Sequence, residues 1–199
     1  LSVGTMLRLG ADALVAVTGL RNPCRQINDL QNGLLARVLV HDDAGALIHA
    51  RTTTPEFSCA PFCHSKQWGV TRNPRNADYT PGGSSGGAGA ALAAGLTPLA
   101  TGSDIGGSIR IPASACGVVG FKPPYGRVPS TPPFSLDHYN HPAPMARTVE
   151  DCLLMQNVLS GPHPEDIASL KPKLELRADR SGIRGWKIAY SLDFGFMEI

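Results

Sequence analysis

Residues 80–110 read TPGGSSGGAGAALAAGLTPLATGSDIGGSIR, and they set two serine clusters among glycines. The first is Gly82-Gly83-Ser84-Ser85-Gly86-Gly87. The second is Gly102-Ser103-Asp104-Ile105-Gly106-Gly107-Ser108-Ile109-Arg110, and Ser108 follows Ser84 by 24 residues. Between them, residues 88–94 are almost pure Ala, Gly and Leu, stopped by Gly95. Alanine favours helix and glycine suits a left-handed cap, so this run predicts a short buried helix. Its small side chains let it lie close against a sheet. Residues 97–101 and 118–121 predict strands on either side of the second cluster. Strand, glycine loop, helix and strand in alternation indicate an α/β domain.

Working outward, residues 71–83 carry Asn73-Pro74, Asn76-Ala77-Asp78 and Pro81-Gly82-Gly83, the punctuation of a loop. Upstream, residues 14–17 predict a strand and 34–40 a second strand or short helix, followed by a turn over 41–45. Downstream, Thr148 with Asp151 three residues on is a variant of the capping box. It opens a helix whose packed face is expected from Val149, Cys152, Leu153, Val158 and Leu159, with Gly161-Pro162 as its stop. Residues 186–191 (WKIAYS) predict a strand, and 165–184 a surface segment.

The chain has 199 residues, 42% of them apolar, which suits one domain of ordinary size with a packed core. A formal charge of +2 gives no basic or acidic face, so nucleic acid and membrane are not expected as partners. No apolar run approaches the roughly 18 residues of a membrane helix. The start, LSVGTMLRLG, lacks both a secretory pattern and an initiator Met, and suggests a trimmed or fragmentary chain. Five cysteines form an odd, irregular set that argues against a disulfide framework and for a reducing, cytoplasmic compartment. Cys59, Cys63 and His64 are too few ligands for a metal site, and no cofactor is implied.

The second cluster has the physics of an oxyanion loop. Glycines without Cβ let backbone N–H groups turn toward a substrate carbonyl, here those of Ile105, Gly106, Gly107 and Ser108. Ser108, at the end of that loop, is placed to attack the carbonyl they hold. The first cluster sets a second hydroxyl, that of Ser84, at the start of the Ala-rich helix. Either cluster alone reads as a flexible turn; together, with helix and strand between, they point to serine catalysis. Asp104 and Arg110 flank the loop, with an ion pair or backbone hydrogen bonds as their expected role.

Residues 80–127 resemble the signature stretch of the amidase signature family, as do 45–48, 69–74 and 144–151, and the likeness covers residues from about 45 to 199. The resemblance implies a mixed sheet flanked by helices, of which this chain is a shortened core. It also implies amide C–N cleavage by a Ser–Ser–Lys triad. By position Ser108 resembles the nucleophile, Ser84 the relay serine after a cis peptide bond, and Ser85 the supporting serine. The triad lysine of the family stands several tens of residues upstream of the relay. Here the first lysine is Lys66, only 18 residues before Ser84. Lys66 and His64 are therefore the candidates for a substitute base, and weakened activity is expected.

Residues 19–27 and 33–35 are similar to part of a MOSC domain, where a cysteine matching Cys24 carries sulfur. Residues 1–45 are thus read as a MOSC-like or extra segment and 46–199 as an incomplete amidase-signature core. The leading function is hydrolysis of a small-molecule amide. The alternatives are a catalytically impaired scaffold, a protein like the amide-cleaving subunit of tRNA-dependent amidotransferases, and a sulfur carrier through Cys24. A shortened core leaves a sheet edge or apolar face open, so self-association is the expected way to cover it.

Overall fold

The computed structural model describes residues 6–9, 13–16, 40–41, 47–48, 50–178 and 182–197, the first four stretches by their backbone alone. Strands β1 (Met6–Leu9) and β2 (Ala13–Ala16) form one antiparallel pair. Strands β3 (Val40–His41) and β4 (Leu47–Ile48) form another. The segment expected to resemble a MOSC fragment, including Cys24, lies outside the described residues. So do most of the 34–40 element and of the 41–45 turn.

The body that carries the serines is a three-stranded antiparallel sheet covered by short helices. A small hairpin of β5 (His64–Ser65) and β6 (Gly69–Val70) precedes it. Helix α1 (Gly86–Ala93) then leads to strand β7 (Leu99–Asp104), helix α2 (Arg110–Cys116), strand β8 (Val119–Gly120), strand β9 (His141–Ala146) and helix α3 (Val149–Leu159). In the sheet β9 lies between β7 and β8. The β7–β9 register runs from Leu99 opposite Ala146 to Asp104 opposite His141.

The Ala-rich run forms the buried helix the sequence predicts, and Gly95 follows it with φ +73°. All of its buried residues except Leu92 are Gly or Ala, so α2 can pass close. A Cβ on Gly89 would sit 3.1 Å from the Cβ of Pro112. Ala88 and Leu92 of α1, Ile109 and Ala113 around α2, and Ala143 and Met145 of β9 make the apolar core. The core is small and tightly built, with Leu92, Ile109 and Met145 as its largest members.

Two elements escape the sequence reading. Pro112 hides α2, yet it sits in the first helical turn, where the missing N–H has no partner to lose. Gly117 closes that helix at φ +64°. Strand β9 reads HPAPMA, and prolines normally argue against a central strand. Phe121 N–H donates to the Pro144 carbonyl at 3.2 Å, so Pro144, and Pro142 two residues before it, face the β8 side. There β8 pairs only with Met145 and Ala146, and the full ladder to β7 keeps every N–H it needs.

Two expectations are corrected. The buried face of α3 is Cys152 and Gln156, whereas Val149 and Val158 are 62% and 50% exposed. Those two valines lie nine residues apart, half a turn round the helix axis, and cannot share a face. The Thr148 cap stands: its Oγ1 accepts from the Asp151 N–H at 3.1 Å and donates to the Asp151 carboxylate at 2.7 Å. Residues 186–191 form no strand, since a strand needs a ladder and none of them is paired among the described residues. Trp186, Ile188, Tyr190, Leu192, Phe194 and Phe196 are all exposed there, at every second position.

Candidate active site

The two glycine–serine clusters fold against each other. Ser85 N–H donates to the Ser108 carbonyl at 3.1 Å. Ser85 Oγ accepts from Ser103 N–H at 3.3 Å and reaches the Ser103 carbonyl at 3.5 Å. This contact requires glycine at 102, because a Cβ there would lie 2.6 Å from Ser85 Oγ. On the other side, a Cβ on Gly83 would meet the Ala60 carbonyl at 2.5 Å and the Phe62 N at 2.7 Å. The first cluster is thus wedged between the 60–63 loop and β7. Ser84 and Ser85 are buried, the Gly83–Ser84 peptide is cis, and Ser108 is half-buried at the start of α2.

Asp104, at the end of β7, organises the Ser108 loop. Its fully buried carboxylate accepts Gly107 N–H at 2.7 Å on Oδ1 and Ile109 N–H at 3.2 Å on Oδ2. Arg110 adds its backbone N–H to Oδ2 at 3.3 Å, Nε to Oδ2 at 3.0 Å and Nη2 to Oδ1 at 3.0 Å. Burial pushes this carboxyl up, but the Arg110 side chain and the three backbone N–H groups outweigh it and hold it down at about 2. The same pair raises the Arg110 guanidinium. The N–H of Gly107, expected among the oxyanion donors, is therefore engaged by Asp104 in this structure. Ile105 and Gly106 are exposed at the tip of the loop.

Neither substitute-base candidate is hydrogen-bonded to a site serine among the described residues. Lys66 is exposed, and its backbone N–H donates to the Glu56 carboxylate at 2.7 Å. That bond is the main reason the Glu56 carboxyl is lowered. His64 is exposed and stacks on Phe62, ring centroids 4.5 Å apart.

Cys63 is buried beside the site. Its thiol donates to the Thr53 carbonyl at 3.2 Å, and Thr53 Oγ1 meets Thr71 Oγ1 at 2.6 Å. Gly87 N–H donates to that same Thr53 carbonyl at 3.1 Å, so this knot steadies the first turn of α1. Beyond the glycines at 86 and 87, no residue pattern signals it. Among the described residues no three His, Cys, Asp or Glu side chains cluster as metal ligands, and no helix is long and apolar enough to cross a membrane.

A family model described as Amidase matches residues 37–199. The chain belongs to the amidase family. The A-type subunit of the glutamyl-tRNA(Gln) amidotransferase of Desulforapulum autotrophicum is 42% identical over 164 residues, covering 78% of this chain and 33% of that one. Its counterpart in Neisseria meningitidis is 37% identical over 186 residues, covering 89% of this chain and 38% of that one. The chain spans about a third of the length of the curated relatives it matches. Among solved amidases, a bacterial aryl acylamidase of the amidase signature family superposes with TM-score 0.62 and 42% identity, over 65% of this chain and 27% of that one. A 6-aminohexanoate cyclic dimer hydrolase gives 0.60 and 43%, over 63% and 27%. The α/β core around the two serine clusters is therefore an amidase-family core.

Proposed function

We propose that this amidase-family chain carries the serine half of an amide-cleaving site. The observation that supports it is the direct contact between clusters 24 residues apart, Ser85 N–H on the Ser108 carbonyl at 3.1 Å. In this reading Ser108 Oγ attacks the carbonyl carbon of a small-molecule amide while Ser84 takes its proton and passes it to the leaving nitrogen. The C–N bond breaks, the amine departs, and water then releases the acyl group from Ser108 as the acid. Ser85 holds the two loops together. The N–H groups of Ile105, Gly106 and Ser108 stabilise the developing oxyanion, with Gly107 left on Asp104.

The proton acceptor beyond Ser84 is the weak part of the site. His64 and Lys66 are the two candidates for it, and His64 follows by two residues Phe62, whose main chain borders Gly83. General-base assistance is worth roughly 10²–10⁴-fold, so turnover far below that of a complete triad is expected. The test is kcat/KM on a simple aryl amide for the chain and for Ser108→Ala, His64→Ala and Lys66→Ala. Slow turnover lost in Ser108→Ala supports the reading. Turnover unaffected by Ser108→Ala overturns it, and none at all makes the chain an impaired scaffold. Robust turnover insensitive to His64→Ala and Lys66→Ala contradicts the base assignment.

The names of the amidotransferase relatives favour a second reading, in which the released ammonia is handed to a partner instead of being lost. Ammonia transfer to an acceptor in a reconstituted complex distinguishes the two. The proposed setting is the reducing cytoplasm, in keeping with free Cys63, Cys116 and Cys152. Self-association through the exposed apolar side chains of 186–196 is proposed as well, and sedimentation at several concentrations reads it.

A further inference from the structure

His141 opens β9, stands opposite Asp104 in the ladder and is buried. Its ring Nδ1 lies 2.6 Å from the Tyr139 carbonyl oxygen and 3.3 Å from the Asp104 carbonyl oxygen. Both partners can only accept, so Nδ1 carries a hydrogen. On the far side of the ring, Nε2 lies 3.3 Å from Lys122 Nζ, a group that can only donate. The nitrogen facing it must offer a lone pair. The two sides agree on one tautomer, with hydrogen on Nδ1 and a bare Nε2. Tyr125 meets the imidazole edge-on, ring centroids 6.2 Å apart, and closes a third side.

These contacts converge on one point of the backbone. Asp104 is the last residue of β7, and its carboxylate gathers Gly107, Ile109 and Arg110 into the loop that holds Ser108. His141 grips the main chain of the same residue. Lys122 comes from the segment after β8 and Tyr139 from the turn before β9, so three separate stretches meet at the strand end. We infer that His141, hydrogen on Nδ1 and Lys122 at Nε2, is a positioning residue for the Ser108 loop. It acts through Asp104 and touches no reacting atom. The role in catalysis rests on the proposed reading of Ser108; the role in ordering the loop does not.

Amide hydrogen exchange at Gly107, whose N–H sits on Asp104 Oδ1 at 2.7 Å, reads the loop whether or not Ser108 reacts. His141→Leu should speed that exchange by roughly tenfold. His141→Asn, whose side-chain N–H reaches the place of Nδ1–H, should bring it back to within a few-fold of the parent. Lys122→Met should speed it a few-fold, and nitrogen-15 spectra of the parent should show hydrogen on Nδ1 with Nε2 bare. Fluorophosphonate labelling of Ser108 should slow in the same order. Unchanged Gly107 exchange in His141→Leu, or hydrogen on Nε2, overturns the inference. If His141→Leu does not fold, unchanged exchange in Lys122→Met overturns it instead. A parent whose Ser108 never labels, but whose Gly107 exchange follows the expected order, overturns the Ser108 reading and leaves the loop-ordering role standing.

Discussion

Replacing Asp104 by Asn keeps the shape of the side chain and removes its charge. The carboxylate accepts two donors on Oδ1, from Gly107 and Arg110 Nη2, and three on Oδ2, from Ile109, Arg110 N and Arg110 Nε. An amide has one oxygen, so either orientation sets an NH₂ group against at least two donors. A carboxyl lowered from 3.8 to about 2 contributes roughly 2 kcal/mol at neutral pH. Hydrogen bonds lost even by the neutral form bring the expected cost of Asp104→Asn to about 3 kcal/mol. Because the folded pKa is depressed, the charge-linked part is fully present above the unfolded value and lost as pH falls toward the folded one. About half of it should be gone at pH 3. Urea unfolding of both proteins from pH 7 to pH 3 measures the gap directly. A gap under about 1 kcal/mol at pH 7, or one that stays flat down to pH 3, refutes the account of Asp104 as the organiser of the loop.

Other substitutions read single contacts. Gly87→Ala drives a Cβ into the Thr53 main chain, its carbonyl oxygen 2.5 Å away, and should cost about 1–3 kcal/mol in thermal unfolding. Gly106→Ala, with nothing within 4 Å of the new Cβ, should stay within about 0.5 kcal/mol of the parent. Thr148→Ala removes the acceptor for Asp151 N–H and should cost about 1 kcal/mol, seen as a lower urea midpoint with an unchanged slope. Ser85→Ala leaves Ser103 N–H without its 3.3 Å side-chain acceptor, and a loss of about 1 kcal/mol is expected by the same assay.

Part of the fold around the two serine clusters was legible because alanine and glycine act through the local backbone. Gly95 and the Ala run announce α1, since helix propensity and a left-handed cap are local properties. The contact of Ser85 with Ser108 was not read from the sequence, because a pairing across 23 residues is tertiary; the resemblance implied only that Ser84 is the relay and Ser85 the serine that supports it. No element was expected at α2 or β9, whose prolines obscure the usual patterns: a first-turn proline costs a helix nothing, and prolines on the short-paired side of a strand spare the long ladder. The apolar alternation of 186–191 looked like a strand, but alternation states only a preference and a ladder requires a partner. His141 and Lys122 carried no sequence signal at all. An imidazole whose Nδ1 meets two carbonyls and whose Nε2 meets an ammonium depends on where three distant segments come together.

The proposed function stands on Ser108 as a reactive nucleophile. The most direct measurement is mass mapping of the chain after treatment with a fluorophosphonate, beside Ser108→Ala and Ser84→Ala. A single adduct on Ser108 is expected, none in Ser108→Ala, and a much slower one in Ser84→Ala, which lacks the proposed relay hydroxyl. An adduct that persists unchanged in Ser108→Ala, or that maps to another serine, contradicts it.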